Sequence, residues 1–316
     1  MLRVEFFQPA ELREALEVKA AHPEAVAIAG GTDLLVDMNF DRRHPEVVLD
    51  LGRVPELRGL GSGGWGPAGR DSAGRDPEGR DPPDGGWIRL TAGTTFHELT
   101  AGLGTALPAL AIASRTVGSP QIRHRATIGG NLATASPAGD AHPPLLATGA
   151  EVEVCSVTGT RRIPIDDFFI GPKRSALAAE ELIVAVHVPA ATGPQQFAKV
   201  GTRNAMVIAV CSFALALHPA DRRVGTGIGS AGPVPLRAGD AEAFAAGALD
   251  WESRGPLADA TVQRFGELVS RAARPIDDVR GTSAYRRHAL GVLASRTLRW
   301  TWADYRQSGR QGELAG

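Results

Sequence analysis

The sequence of 316 residues contains only two cysteines, Cys155 and Cys211. Both lie in apolar stretches that favour β-strands, so we predict that each is a buried free thiol. An iron–sulfur cluster is normally held by four thiolates, and two cysteines placed in this way cannot supply them. Any cluster that works with this protein must therefore belong to another polypeptide.

Long apolar runs and an excess of charge of one sign are also lacking. No run approaches the roughly 20 apolar residues that a membrane-spanning helix needs, and residues 1–7 lack the pattern of a signal peptide. The formal net charge is −1, which provides neither a basic surface for nucleic acid nor a long-range attraction to an anionic membrane. We predict a cytoplasmic protein that binds neither nucleic acids nor membranes.

Residue sets that are typical of catalysis by protein side chains are missing as well. No Ser/His/Asp set, H-E-x-x-H zinc motif or pair of carboxylates stands out. We therefore predict no catalytic residue and no metal ligand in this chain. Any difficult chemistry would belong to a bound cofactor.

Two Gly-Gly segments about a hundred residues apart are the most informative features that are present. The first glycine segment, residues 29–35 (AGGTDLL), follows the strand-like run Ala25–Ile28, and the second glycine segment is residues 127–132 (TIGGNL). Glycine reaches positive φ and lets backbone N–H groups approach an anion, so the pair predicts a diphosphate cradle. Either segment alone could be an ordinary turn. Because neither contains a basic residue, we expect the donors to be backbone amides and the hydroxyls of Thr32 and Thr127.

The first part of the chain predicts a β-α-β unit with parallel pairing. Its predicted elements are a helix over Glu11–Ala21, a strand over Ala25–Ile28, a short helix near Leu34–Met38 and a strand over Glu46–Leu51. A second unit follows, with predicted strands over Trp87–Gly93, Glu151–Val157 and Glu181–Val188. Thr95 and Glu98 have the spacing of a capping box, which predicts that a helix begins there.

The last third of the chain predicts a separate unit of sheet and helices. A linker by composition, residues 189–194, precedes an apolar run over Val207–Leu217 that predicts a buried strand. The spacing of apolar residues predicts helices over Thr261–Ala273 and Ser283–Trp302. Residues 307–316 are polar and predicted to be frayed.

Residues 61–86 form an insertion of low complexity in which Gly-Arg-Asp recurs every five residues. It has almost no side chains that could form a core, so we predict a disordered loop. The insertion has no cysteine and therefore cannot hold a cluster.

A G-x-G-x-x-G pattern at Gly227–Gly232 invites a dinucleotide-binding interpretation. A true fingerprint opens a helix at once, whereas Pro233-Val234-Pro235 follows here and keeps the chain extended. We predict a tight turn that ends a strand.

Taken together, the two glycine segments and the motifs Val117–Arg123, Asp140–Pro144 and Lys199–Met206 resemble the FAD-binding medium subunit of molybdenum hydroxylases, the xanthine dehydrogenase and carbon monoxide dehydrogenase group. The resemblance spans residues 1–302 and implies an α+β fold. Its parts would be a PCMH/VAO-type FAD-binding domain at 1–190, with α/β subdomains 1–55 and 56–190 and the disordered insertion 61–86, then a small sheet-plus-helices domain of the CO dehydrogenase flavoprotein type at 195–302 and a flexible tail at 303–316.

The resemblance implies FAD as the cofactor. The wider fold often links FAD to a histidine near the first glycine segment, but Thr32 and Asp33 occupy those places, so we expect non-covalent binding. The residues that match the family's cofactor contacts are Ala27, Ile28, Ala29, Gly30, Gly31, Thr32, Asp33, Leu34, Val117, Thr127, Ile128, Gly129, Gly130, Asn131, Asp140, Ile183 and Lys199.

By the same resemblance, Asp140 would contact the ribityl chain, and Val117, Ile183 and Lys199 would lie beside the flavin. Plainer alternatives remain at the sequence level: Asp140 as an acceptor in a turn, Ile183 as an ordinary core residue, and Lys199 as a solvated side chain. We expect Asp33 to face outward or to meet a ribose hydroxyl.

The implied function is electron transfer within an oxidoreductase complex. Electrons from a molybdenum cofactor on a large subunit would pass through [2Fe-2S] clusters on a small subunit to this FAD, and on to NAD or another acceptor. The alternatives are a free-standing FAD-dependent oxidase of the same fold and a scaffold that has lost FAD. The substrate of the complex would be selected by another chain.

Overall fold

The computed structural model describes residues 4–59 and 86–315, with side chains described as far as residue 308. The predicted disordered insertion lies outside these residues except for Gly86. Helices and strands are mixed throughout the described chain, which confirms the predicted α+β class. Among the described residues, no helix is both long and apolar enough to cross a membrane.

The first unit is a small parallel sheet with two helices. Its elements are β1 (Glu5–Phe7), α1 (Leu12–Ala21), β2 (Val26–Ile28), α2 (Leu34–Asn39) and β3 (Val47–Asp50). The strands lie in the order β1-β3-β2, and both pairings are parallel. The predicted β-α-β arrangement is thus confirmed, while β1 was not predicted because three residues with an exposed Phe6 carry little strand signal.

The second unit is a four-stranded antiparallel sheet in the order β4-β9-β5-β6. These strands are β4 (Trp87–Thr91), β5 (Glu151–Ser156), β6 (Gly159–Pro164) and β9 (Leu182–Pro189), with a small hairpin, β7 (Phe169–Gly171) and β8 (Arg174–Ser175), inserted before the last of them. A 3-10 turn, Pro55–Leu57, precedes the sheet, and its helices are α3 (Phe96–Gly102), α4 (Pro108–Arg115), α5 (Pro120–Arg123), α6 (Ile128–Thr134), α7 (His142–Thr148) and α8 (Ile165–Phe168). The predicted capping box is present at α3, where Thr95 Oγ1 accepts from Glu98 N and Glu98 Oε2 accepts from Thr95 N.

The third unit is a three-stranded antiparallel sheet covered by helices. Its elements are β10 (Gln195–Val200), β11 (Cys211–His218), β12 (Arg223–Gly229), α9 (Gly239–Ala248), α10 (Asp259–Ala272) and α11 (Ser283–Ala315). The strand predicted from Val207 begins only at Cys211, because residues 207–210 belong to the connection after β10. As predicted, β12 ends within the pattern at Gly227–Gly232 and no helix follows it directly, but the chain reverses through bends at residues 230–234 and pairs Ile228 with Leu236, which is a wider loop than the predicted tight turn.

Helix α11 continues past Trp302, which differs from the flexible tail predicted for residues 303–316. The physical reason is aromatic packing. Tyr305 is buried, and its ring lies 5.3 Å from that of Trp302 and 5.9 Å from that of Trp251. These rings extend the third unit's core beyond the point where the sequence becomes polar.

The second and third units meet where α7 lies on β12. A Cβ atom at Gly225 or at Gly227 would overlap the backbone carbonyl of Ala147 or of Pro143, respectively. The glycines that suggested a dinucleotide fingerprint therefore allow close packing of a helix on a strand. This packing places β10 of the third unit beside the end of α4 in the second unit.

Candidate functional site

A large cleft of about 1120 Å³ opens beside both glycine segments. Its walls come mainly from the first two units, and the third unit contributes residues 206–208. Small-molecule sites usually enclose about 300–1,000 Å³. The cleft is therefore large enough for a dinucleotide.

The first glycine segment leaves its amide groups available. It connects β2 to α2, and Gly31 has φ of +74°, a left-handed conformation that favours glycine. No described residue accepts a hydrogen bond from the amide N–H groups of Gly30 to Leu34. All five residues line the cleft. A run of unpaired N–H groups at the wall of a cleft is suited to an anionic ligand.

The second glycine segment has a different structure from the predicted loop. It is the first turn of α6, with Thr127 as the N-cap residue whose Oγ1 accepts from Gly130 N at 3.1 Å. Its other amides are also occupied: Ile128 N donates to Thr94 O, Gly129 N to Ala92 O, and Asn131 N to Thr127 O. For residues 128–131 the prediction of free backbone donors is therefore wrong, because the protein itself uses these amides.

Two buried oxygen atoms at the cleft have no partner among the described residues. One is Oδ1 of Asn131 and the other is Oδ1 of Asp140. Both residues line the cleft. An unpaired buried acceptor is costly, so these atoms are suited to a ligand that carries hydroxyl or N–H donors.

Asp140 is held firmly through its other oxygen. Its Oδ2 accepts from Lys199 Nζ at 2.6 Å and from Thr116 Oγ1 at 3.3 Å. Burial raises the pKa of the Asp140 carboxyl above its usual value, while the charge of Lys199 and the two hydrogen bonds act to lower it. The sequence-level alternatives of a simple turn acceptor and a solvated lysine are both wrong, because the two side chains form a buried ion pair.

Nearly all the other predicted site residues lie at the same cleft. Of the seventeen, all line it except Ile128, which is fully buried in the core, and Lys199, which reaches Asp140 from outside the lining. Asp33 is exposed, as expected, and its Oδ2 accepts from Thr134 Oγ1 at 3.2 Å. His142 is fully buried, and burial lowers its pKa to about 4, so it is neutral at physiological pH.

The sequence reasoning missed the cations of the cleft. Arg43, Arg58, Arg125 and Lys173 all line it. The backbone carbonyl of Arg125 also packs against Gly30, so closely that a Cβ atom at Gly30 would overlap it. Arg125 stands two residues before Thr127 and could have been found from that position. Arg43 gives no comparable signal, because only the fold brings the end of α2 to the cleft.

Comparison with protein families assigns both parts of the chain. Residues 2–66 and 83–191 match the FAD-binding domain in molybdopterin dehydrogenase. Residues 196–301 match the CO dehydrogenase flavoprotein C-terminal domain.

Individual relatives agree with this assignment. The chain is 28% identical to the xanthine dehydrogenase FAD-binding subunit of Escherichia coli O157:H7 over 93% of this chain and 94% of that protein. It is 33% identical to the nicotinate dehydrogenase FAD-subunit of Eubacterium barkeri over 77% of this chain and 80% of that protein.

A solved structure shares the fold. A chain in the structure of carbon monoxide dehydrogenase from Hydrogenophaga pseudoflava, in a form that lacks the Mo-pyranopterin moiety of its molybdenum cofactor, superposes with a TM-score of 0.81. The identity is 27%, with 96% of this chain and 98% of that chain covered. The protein therefore belongs to the FAD-binding medium subunits of the molybdenum hydroxylases, an oxidoreductase family.

Proposed function

We propose that this chain holds FAD non-covalently in the cleft and serves as the electron-transfer subunit of a molybdenum hydroxylase complex. One observation carries the proposal: unpaired N–H donors and unpaired buried oxygens line the same dinucleotide-sized cleft. FAD needs both, because its diphosphate is an anion while its ribityl and ribose groups carry hydroxyls.

The residues divide between the diphosphate and the flavin part of the cofactor. The amides of Gly30 to Leu34 and the hydroxyl of Thr32 would receive the diphosphate, with Arg43 and Arg125 supplying positive charge to the same cleft. The second glycine segment would contribute mainly through side chains, the hydroxyl of Thr127 and Oδ1 of Asn131, since the amides of residues 128–131 are occupied.

The flavin end has a carboxylate and apolar walls. Oδ1 of Asp140 would accept a hydrogen bond from a ribityl hydroxyl. Val117 and Ile183 line the cleft as apolar side chains against which a flavin ring could pack. At Gly130 a Cβ atom would lie 3.0 Å from Thr127 Oγ1, the hydroxyl that caps α6.

When bound, FAD would supply redox chemistry that passes electrons from the [2Fe-2S] clusters of a small subunit to NAD or another acceptor. The chain's own residues would bind and orient the cofactor and act on no organic substrate. A large subunit would hold the molybdenum cofactor and select the substrate, and the complex would work in the cytoplasm.

Two measurements test this proposal. The purified chain should show the visible absorption bands of a flavin, released by denaturation because the link is not covalent, and it should co-purify with a molybdenum subunit and an iron–sulfur subunit when the three are co-expressed. A colourless chain that takes up no added FAD would indicate a scaffold.

The isolated subunit also separates a relay from an oxidase. Its FAD should be reduced by dithionite under anaerobic conditions but not by hypoxanthine, aldehydes or carbon monoxide. Rapid bleaching by any organic substrate other than a nicotinamide, without partner subunits, would favour a free-standing oxidase.

A further inference from the structure

Lys199, a residue of the third unit, contacts Asp140 at the edge of the cleft. It lies on β10, an edge strand that pairs with β11 so that Lys199 is opposite Ser212. Its side chain is only 8% exposed, and its Nζ donates to Asp140 Oδ2 and to Thr116 O. Lys199 is not part of the cleft lining, whereas Asp140 is.

The strand that carries Lys199 is fixed against the second unit. Phe197 is buried in a cluster with Ala109 and Ala113 of α4. Thr116, the C-cap residue of the same helix, donates to Asp140 Oδ2 and accepts from Lys199 Nζ. Lys199 of the third unit and Thr116 at the end of α4 in the second unit therefore both donate to the same oxygen of Asp140, Oδ2.

These two hydrogen bonds determine how the other oxygen, Oδ1, is oriented. With Oδ2 engaged by two donors, the Asp140 carboxylate cannot rotate freely, and Oδ1 stays buried without a partner at the cleft. Hydrogen bonds to an ionised acceptor are roughly twice as strong as neutral ones. The value of Oδ1 to a ligand hydroxyl thus depends on the charge and orientation that Lys199 maintains.

We propose that Lys199 is a positioning residue, which acts on FAD through Asp140 rather than by touching the flavin, and which makes cofactor retention depend on the docking of the third unit. This inference rests on the proposed function, since it assigns how one contact of the same cleft is built. It differs from the direct flavin contact that the family resemblance implies for Lys199.

The experiment is a double-mutant cycle on FAD affinity. Apoprotein of the full chain is titrated with FAD for the wild type, Lys199→Met, Asp140→Ala and the double variant. Because a hydrogen bond to a charged group contributes about 1.5–3 kcal/mol, each single variant should bind FAD about tenfold to a hundredfold more weakly. The double variant should bind no more weakly than Asp140→Ala alone. Losses that multiply would show that Lys199 contacts FAD independently and would overturn the proposal.

A second ligand separates positioning from general damage to the fold. ADP contains the diphosphate but lacks the flavin and the ribityl chain, so Lys199→Met should bind ADP as well as the wild type does. Equal loss of ADP and FAD affinity would show that Lys199 only supports the fold. Arg222→Met is the matched control, because it removes a cation of the same unit from an exposed pair with Glu252 and should change neither affinity.

The pH profile provides a readout that a purely structural lysine would not change. Lys199 is the charged group that acts on the pKa of Asp140 among the described residues, Thr116 is not titratable, and His142 nearby is neutral. Removing Lys199 removes an influence that lowers the pKa of Asp140, so protonation begins at higher pH. The acid-side loss of FAD affinity should therefore start at higher pH in Lys199→Met than in the wild type and be absent in Asp140→Ala.

An unchanged acid limb in Lys199→Met would contradict the proposal. If Lys199→Met does not fold, Lys199→Gln, which is uncharged but still polar, gives the same comparison. Failure of the wild type to bind FAD at all would instead contradict the proposed function and is recognised before any variant is measured.

Discussion

In the first glycine segment, the amides of Gly30 to Leu34 have no acceptors among the described residues. In the second glycine segment, the amides of residues 128–131 donate hydrogen bonds to Ala92, Thr94 and Thr127. Both segments contain a Gly-Gly pair and both border the same cleft. Under the proposed function their roles differ, because the first segment would offer backbone donors to FAD and the second would offer side chains. A glycine pair therefore marks the neighbourhood of a site without defining how the site binds.

The glycines themselves divide in another way. Gly30 and Gly129 allow close packing, since a Cβ atom would overlap the Arg125 carbonyl at the former and lie 2.7 Å from Ala92 Cβ at the latter. Gly31 instead provides a left-handed backbone conformation. Gly130 does not have a positive φ, and a Cβ atom there would crowd a side chain rather than backbone, Thr127 Oγ1 at 3.0 Å. Substitutions at these positions should therefore separate stability from binding.

Gly30→Ala should have the largest effect, because it pushes the first glycine segment away from Arg125 at the point where the two regions touch. Overpacking of this kind costs about 1–3 kcal/mol, and the overlap with backbone predicts the upper end. We expect a lower Tm together with loss of FAD from the purified protein. Thermal denaturation and the visible spectrum measure both, and full flavin content at an unchanged Tm would contradict the observed contact.

Gly31→Val should abolish FAD retention with a smaller effect on stability. A β-branched residue in the left-handed region costs roughly 1–2 kcal/mol, and the strained segment would turn its amides away from their positions. Gly31→Ala should show the same effects in milder form. The FAD content and Tm of both variants check this order, and a yellow Gly31→Val protein with full flavin content would show that this segment does not hold the cofactor.

Thr127→Val should have the smallest effect of the three. Loss of the N-cap acceptor for Gly130 N costs about 1 kcal/mol, and loss of a hydroxyl donor to the ligand would weaken FAD binding by about 0.5–1.5 kcal/mol, roughly twofold to tenfold. Thr127→Ser keeps both interactions and serves as the control. If the serine variant behaves like the valine variant, the hydroxyl is not the relevant group.

Local patterns in the sequence were enough to predict much of the fold. The capping box at Thr95, the parallel pairing of β2 with β3 and the end of β12 at Gly229 all follow from spacing or from proline and glycine chemistry. Elements with weak local patterns were missed. The strand β6 is mostly exposed, and β1 has three residues, so both depend on pairing with neighbours that a single stretch of sequence does not reveal.

The candidate site shows the same limit. Its residues could be proposed from a family resemblance, but their hydrogen bonds could not. Whether a backbone amide is unpaired depends on residues that are distant in the sequence. Gly129 N, for example, donates to Ala92 O. The pairing of Lys199 with Asp140 likewise joins two side chains, from different units, that are 59 residues apart in sequence.

We propose that the first glycine segment, rather than the second, provides the backbone donors for FAD. The most direct test is titration of the apoproteins of the wild type, Gly31→Val and Gly129→Ala with FAD, with bound equivalents counted from the visible spectrum. We predict about one equivalent for the wild type, none for Gly31→Val, and about one for Gly129→Ala at a reduced Tm, because that glycine serves packing. Full binding by Gly31→Val together with loss of binding by a folded Gly129→Ala would show that the second glycine segment, and not the first, holds FAD.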